Sequence, residues 1–309
     1  MADIVICEFM DEAAIKAQLS EFDVLYDPAL VDEPLRLHAA LRNARAIVVR
    51  NRTQVRGALL DAAPALRVVG RLGVGLDNID LEECRKRGIA VFPATGANDV
   101  AVAEYVIAAA MTLIRGAYGA SGEVADGKWP RNRMIGGEVF GRRLGLVGYG
   151  AIARETASRA RALGMEIAAF DPHLPAGDSR WKGAMRLSLD QLLATSDILS
   201  LHTPLTEETR RMIDADAIAR MKPRAIIINA ARGGVLDETA LAEALRSARI
   251  AGAALDVFEE EPLTAQSGAR FQGLSNLILT PHIAGVTDES NVRVSRLTLE
   301  NVVAALKKS

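Results

Sequence analysis

Short apolar runs alternate with amphipathic stretches through the first hundred residues. Residues 4–7, 24–26, 46–49, 68–72 and 89–92 read as buried strands. Helix-like stretches near 12–20, 33–41, 55–62 and 80–87 lie between them. This rhythm predicts a parallel sheet with helices on both faces. After Ala94 the rhythm pauses for a long apolar helix over 98–118, then a polar loop containing Gly127-Lys128-Trp129-Pro130. A second series of strands follows at 144–147, 166–170, 198–202, 225–229, 252–257 and 277–280. A last helix over 288–307 lies beyond them and is expected to cross back to the first half. The pattern therefore predicts two α/β domains, one formed by 1–97 plus 286–309 and the other by 98–285.

The strand at 144–147 runs into a glycine turn. Gly148, Gly150 and Ala153 take the three small positions of a dinucleotide-binding fingerprint. The first permits the tight turn, the second lets backbone approach a pyrophosphate, and the third packs a helix close to its strand. Asp171 ends the next strand, 23 residues after Gly148, where such a turn wants an acid for a ribose diol. NAD is the cofactor expected.

Composition narrows the partners. The 309 residues allow a well-buried core and are half apolar and a quarter charged, with a formal net charge of -2. No global field recruits nucleic acid or an anionic membrane, and neither is expected as a partner. The most apolar stretch, 100–114, is broken by Glu104 and too short to span a bilayer, so it reads as a buried helix between domains. Cys7 and Cys84 are scattered thiols suited to a reducing cytosol. Met1-Ala2-Asp3-Ile4 begins without a basic, then apolar, leader. A cytoplasmic setting is expected, with no metal.

Ligands collect at the carboxyl ends of strands in such sheets. One end carries Asn229-Ala230-Ala231-Arg232-Gly233-Gly234, another Asp256-Val257-Phe258-Glu259-Glu260-Glu261-Pro262, and the last Pro281-His282-Ile283-Ala284-Gly285. The chemistry fits hydride transfer between nicotinamide and a 2-oxo or 2-hydroxy acid. Arg232 offers a planar fork for a carboxylate. Histidine is the side chain type suited to exchanging a proton near neutral pH, so His282 is the candidate acid–base. A carboxylate beside it, assigned to Glu261, would favour imidazolium and orient the ring. Glu259 and Glu260 read as solvated neighbours, and His38, His173 and His202 as non-catalytic.

These motifs, with Gly148-Tyr149-Gly150-Ala151-Ile152-Ala153 and Gly73-Val74-Gly75-Leu76-Asp77-Asn78-Ile79-Asp80, resemble the D-isomer-specific 2-hydroxyacid dehydrogenase family along nearly the whole chain. The resemblance implies a Rossmann-type doubly wound sheet inserted into a smaller flavodoxin-like substrate domain. It implies that Arg232, Glu261 and His282 are catalytic, and that the Val74 and Gly75 amides hold the substrate carboxylate. Asp171 matches the acid on the adenosine ribose, and Asp256 the residue that contacts the nicotinamide amide. Tyr149, Ala151, Ile152, His202, Thr203, Pro204, Thr209, Ala230 and Val102 complete the expected cofactor contacts. Two departures stand out: Ala153 replaces the usual third glycine, and Asp99 stands where serine is common.

Gly70-Arg71-Leu72-Gly73-Val74-Gly75 is similar to phosphoglycerate dehydrogenases in particular. The regulatory domains that many of those enzymes append have no counterpart in these 309 residues. Arg50, Arg52 and Arg71 stand at first-domain strand ends, which face a cleft if the domains close on each other. They are more cations than one carboxylate needs, so a phosphate or sulfonate on the substrate is expected. Arg71 is the first choice, Arg52 the second, and Arg50 is expected nearer the sheet; the other reading is that they pair with acids on their own surface. Sulfolactate, hydroxypyruvate and glycerate remain open as substrates. A transcriptional corepressor on the same fold, or a formate or phosphite dehydrogenase, is the weaker reading. A homodimer or homotetramer is expected.

Overall fold

A computed structural model describes residues 2–308. They form two compact units, one holding the chain up to Asn98 and again from Val286, the other Asp99–Gly285.

In the first unit, β1 (Ile4–Ile6), β2 (Val24–Tyr26), β3 (Ala46–Val49), β4 (Val68–Arg71) and β5 (Ala90–Pro93) form a parallel sheet in the order β2-β1-β3-β4-β5. This is the flavodoxin-like order. Alternate residues of each strand feed opposite faces. Val5, Ile47, Val49 and Val69 pack with Leu37, Leu41 and Leu60 on one side. Ile4, Ile6, Val48 and Val68 pack with Val294, Leu299 and Val302 on the other. The last three come from the C-terminal helix Asp288–Leu306, which starts from a capping box between Thr287 and Ser290. Gly70 lets this helix lie against β4, since a Cβ there would meet Val302 Cγ2 at 2.7 Å and Thr298 Cγ2 at 2.8 Å.

In the second unit, β6 (Arg143–Val147), β7 (Glu166–Phe170), β8 (Met185–Arg186), β9 (Ile198–Leu201), β10 (Ile226–Asn229), β11 (Gly252–Leu255) and β12 (Leu277–Leu279) are ordered β12-β11-β10-β9-β6-β7-β8, all parallel. This is the Rossmann order with one strand added at the end, and its switch point lies between β6 and β9. Edge strand β8 escapes sequence reading because its two residues are exposed and no apolar run marks them. The helix Asp99–Arg115 packs on the helix Ala151–Ala162 and against β10 and β11. It stops short of the predicted residue 118 because Gly116 turns left-handed at φ 62°. No single helix among the described residues is long and apolar enough to cross a membrane.

Candidate active site

The glycine turn sits at the switch point. Gly148 has φ 86°, and a Cβ there would lie 2.6 Å from the His202 carbonyl oxygen at the end of β9. Only glycine allows this turn and this approach together. Gly150 is the N-cap of the helix Ala151–Ala162, has no side-chain cap, and faces open space where a Cβ would be. Ala153 is fully buried in the helix–sheet contact. Thr203 Oγ1, beside the same turn, is a buried hydroxyl without a partner in the protein. An uncapped helix start, an open glycine and an unsatisfied hydroxyl suit a dinucleotide diphosphate.

Several residues expected at the cofactor have side chains engaged within the protein. The Tyr149 ring is 2% exposed and stacks on Trp181 at 5.2 Å, so the ring belongs to the core. Its N–H donates to Asp171 Oδ2 at 2.9 Å, while His173 N–H donates to Asp171 Oδ1 at 2.9 Å. An ionised carboxylate has about four acceptor sites, so Asp171 keeps capacity for a ribose diol. Folding brings the charge of Arg180 to bear on Asp171. That guanidinium is forked onto Asp178 at 2.9 and 2.5 Å. Val102 is buried on its helix, and Thr209 Oγ1 donates to the Pro204 carbonyl at 2.6 Å. Ala151 is exposed at the helix start, while Ile152 and Ala230 are half-buried. His202 Nε2 lies 2.9 Å from Ser200 Oγ, and burial pulls the ring's pKa down to about 4. His202 is therefore neutral at physiological pH.

Arg232, Glu261 and His282 come from the ends of β10, β11 and β12. Asn229 holds the first turn, accepting from Ala231 N–H at 3.1 Å and donating to the Arg232 carbonyl at 2.9 Å. Glu261 accepts from Phe258 N–H at 3.0 Å through Oε1 and meets His282 Nδ1 at 2.7 Å through Oε2. Burial would raise the Glu261 carboxyl. The His282 hydrogen bond and charge, the Phe258 amide and the Arg232 charge outweigh it and hold the pKa below its ordinary value. Glu261 is thus ionised and Nδ1–H of His282 donates to it. The ring nitrogen left for proton exchange is Nε2.

Asp256, expected at the nicotinamide amide, is engaged by the loop that carries His282. Its side chain is 1% exposed. Oδ1 accepts from Thr280 Oγ1 at 2.6 Å and Ile283 N–H at 2.8 Å, and Oδ2 from Ala284 N–H at 2.8 Å. Its carbonyl accepts His282 N–H at 2.8 Å. One residue thus gathers three successive amides and holds His282 at φ 56°, a conformation unusual for a residue with a Cβ. The strand predicted over 252–257 ends at Leu255, which leaves Asp256 to turn inward.

Within the first unit, Glu8 was not anticipated, although an acid just past a buried strand is a signal. It is 5% exposed and accepts Arg50, Arg52 and Thr53 N–H at 2.9, 3.2 and 3.0 Å. The three arginines separate. Arg52, the second choice for substrate, is exposed and its guanidinium is paired with Asp32, as the surface reading foresaw. Arg50 donates to Asn291 Oδ1 at 2.6 Å and lies over the Phe9 ring, with its Nε buried and unpartnered. Arg71 donates to the Leu72 carbonyl at 2.9 Å, its guanidinium against Gly73. Gly73, at φ 140°, ties the loop: its N–H donates to the Arg71 carbonyl at 2.9 Å and its carbonyl accepts Ala94 N–H at 2.8 Å. Val74 and Gly75 N–H take no part in these ties.

Residues 107–284 match the family model for the D-isomer specific 2-hydroxyacid dehydrogenase NAD-binding domain. The chain belongs to that family and is an NAD-dependent 2-hydroxyacid dehydrogenase. It is 52% identical to the (S)-sulfolactate dehydrogenase of Chromohalobacter salexigens over 307 residues, 99% of each chain. It is 38% identical to the D-3-phosphoglycerate dehydrogenase of Synechocystis over 96% of its own length, but spans only 52% of that relative. The D-lactate dehydrogenase of Aquifex aeolicus, solved with NAD and lactic acid, superposes with a TM-score of 0.86 at 29% identity, covering 99% of this chain and 96% of that one.

Proposed function

We propose that this enzyme interconverts 3-sulfolactate and 3-sulfopyruvate with NAD. The observation that carries the chemistry is the 2.7 Å contact between His282 Nδ1 and ionised Glu261. NAD, when bound, accepts or supplies the hydride. His282 holds the proton that the substrate oxygen gains or loses, through Nε2, and Glu261 fixes the ring and stabilises imidazolium. Arg232 binds the substrate carboxylate through its planar fork. Arg50 and Arg71 serve the second anion, and Arg52 does not.

The sulfonate reading is supported by the full-length likeness to a sulfolactate dehydrogenase. The stereochemistry agrees with it. Sulfur outranks the carboxyl oxygens in naming, so an S-labelled sulfolactate has the spatial arrangement of a D-2-hydroxy acid. NADH oxidation should be compared for 3-sulfopyruvate, 3-phosphohydroxypyruvate, hydroxypyruvate, pyruvate and glyoxylate. The sulfonate should lead in kcat/KM by about tenfold or more, as one charge-assisted contact predicts. A lead by hydroxypyruvate or glyoxylate would replace this reading. His282→Gln should lose about two to four orders of magnitude in turnover while still binding NADH.

We further infer a homodimer in the cytoplasm. Tyr118, Trp129, Ile135 and Phe140 are 70–79% exposed along a single stretch of the second unit, an apolar surface suited to a second copy. Both cysteines are free and buried, in keeping with a reducing compartment. Light scattering of the purified protein tests the assembly.

A further inference from the structure

We propose that Tyr105 is a positioning residue for the proton-transfer step, acting through the Thr280 hydroxyl on the Asp256 clamp that carries His282. The inference rests on the reading of His282 as acid–base. Tyr105 OH lies 2.7 Å from Thr280 Oγ1, and Thr280 Oγ1 lies 2.6 Å from Asp256 Oδ1.

The proton order along this chain follows from what each group can do. An ionised carboxylate only accepts, so Thr280 must donate to Asp256. A hydroxyl has one proton, so Thr280 can only accept from Tyr105. Tyr105 is then the terminal donor. Burial raises the phenol's pKa above its ordinary value; the Thr280 hydrogen bond lowers it, and the Asp256 charge raises it again. The phenol thus stays protonated and keeps donating across the working range.

The chain has a geometric consequence at the reacting group. Asp256 Oδ1 also accepts Ile283 N–H, Oδ2 accepts Ala284 N–H, and the Asp256 carbonyl accepts His282 N–H. These three amides begin at the acid–base residue. Thr280, two residues before His282, is fixed from one side by the carboxylate and from the other by Tyr105. The backbone at His282 is left-handed, φ 56°, and must be held there by its surroundings. Tyr105 lies on the helix Asp99–Arg115, which is packed against β10 and β11. It thereby ties the histidine loop to a rigid element without touching the reacting atoms.

Tyr105→Phe keeps the ring and removes only the donor. It should lower kcat about three- to tenfold, the range of one hydrogen bond, with the KM for NADH and the melting temperature near wild type. Amide exchange over residues 282–284 should quicken in parallel, a readout independent of turnover. Thr280→Ser should retain kcat, whereas Thr280→Val should lose at least as much as Tyr105→Phe. The double variant Tyr105→Phe/Thr280→Val should be no worse than Thr280→Val, because both act through one hydroxyl. Wild-type kcat in Tyr105→Phe, fully additive losses, or a loss matched by a raised NADH KM and a lowered melting temperature would each overturn the proposal. If Tyr105→Phe does not fold, the threonine pair decides, and equal loss in Thr280→Ser and Thr280→Val overturns it. High turnover in His282→Gln would sink the acid–base reading itself, whatever Tyr105→Phe shows.

Discussion

Gly233 and Phe258 lie so close that a Cβ on Gly233 would sit 1.7 Å from the Phe258 carbonyl oxygen. The turn that carries Arg232 is thereby pressed against the turn that carries Glu261. Phe258 also supplies the N–H that holds Glu261 at 3.0 Å. Glu238, 3% exposed, braces the same region by accepting Glu259 N–H at 2.6 Å.

Gly233→Ala should therefore separate the two turns. Small displacements of reacting groups cost heavily, so kcat/KM for the oxo acid should fall about a hundredfold. NADH binding, followed by fluorescence, should change little, since Gly148 and Gly150 lie elsewhere in the unit. Near wild-type kcat/KM would show that the turns can part without harm.

Asp171 should set a preference for NADH over NADPH. Its carboxylate is held by Tyr149 and His173 N–H at 2.9 Å each and would repel a 2′-phosphate. Arg180 offers little relief because Asp178 already occupies its fork. Asp171→Ser should shift the NADH-to-NADPH ratio of kcat/KM by about tenfold to a hundredfold toward NADPH. An unchanged ratio would remove Asp171 from cofactor choice.

Arg50 and Arg71 should distinguish substrates, and Arg52 should not. Arg50→Ala or Arg71→Ala should lower kcat/KM about tenfold to a hundredfold for 3-sulfopyruvate and much less for pyruvate. Arg52→Ala breaks an exposed pair with Asp32, worth less than about 1 kcal/mol, and should leave both substrates alone. Equal losses for both substrates in the Arg71 variant would make that residue a support of the Gly73 loop instead.

Acid should destabilise the second unit through His202. Its folded pKa of about 4 lies below the unfolded value near 6.5. The unfolded chain therefore binds the proton more readily, and the neutral ring's contribution is complete above about pH 6.5 and is lost as pH falls toward 4. His202→Gln should flatten the dependence of the urea midpoint on pH between 7 and 4.5. Parallel slopes for the two proteins would contradict this.

Much of this protein was written in its apolar pattern. Strands buried on both faces read as continuous runs such as Ile4–Ile6, Ile226–Asn229 and Gly252–Leu255, and their rhythm with helices leaves few topologies open. Gly148 and Gly150 were readable because a tight turn and a close backbone approach admit little else. The positions of Arg232, Glu261 and His282 followed from strand ends, which is a property of chain order.

Tertiary structure decided which partners those side chains took. Nothing local distinguishes Arg52, drawn off by Asp32, from Arg50, which reaches Asn291 across 241 positions. Tyr105 and Thr280 are 175 residues apart and meet only when the long helix lies along the sheet. Asp256 became a clamp because its neighbours in space, 24 to 28 residues onward, offered it three donors. Side-chain hydrogen bonds act over about 3 Å, and the pairing of distant residues at that range is a property of the packed chain.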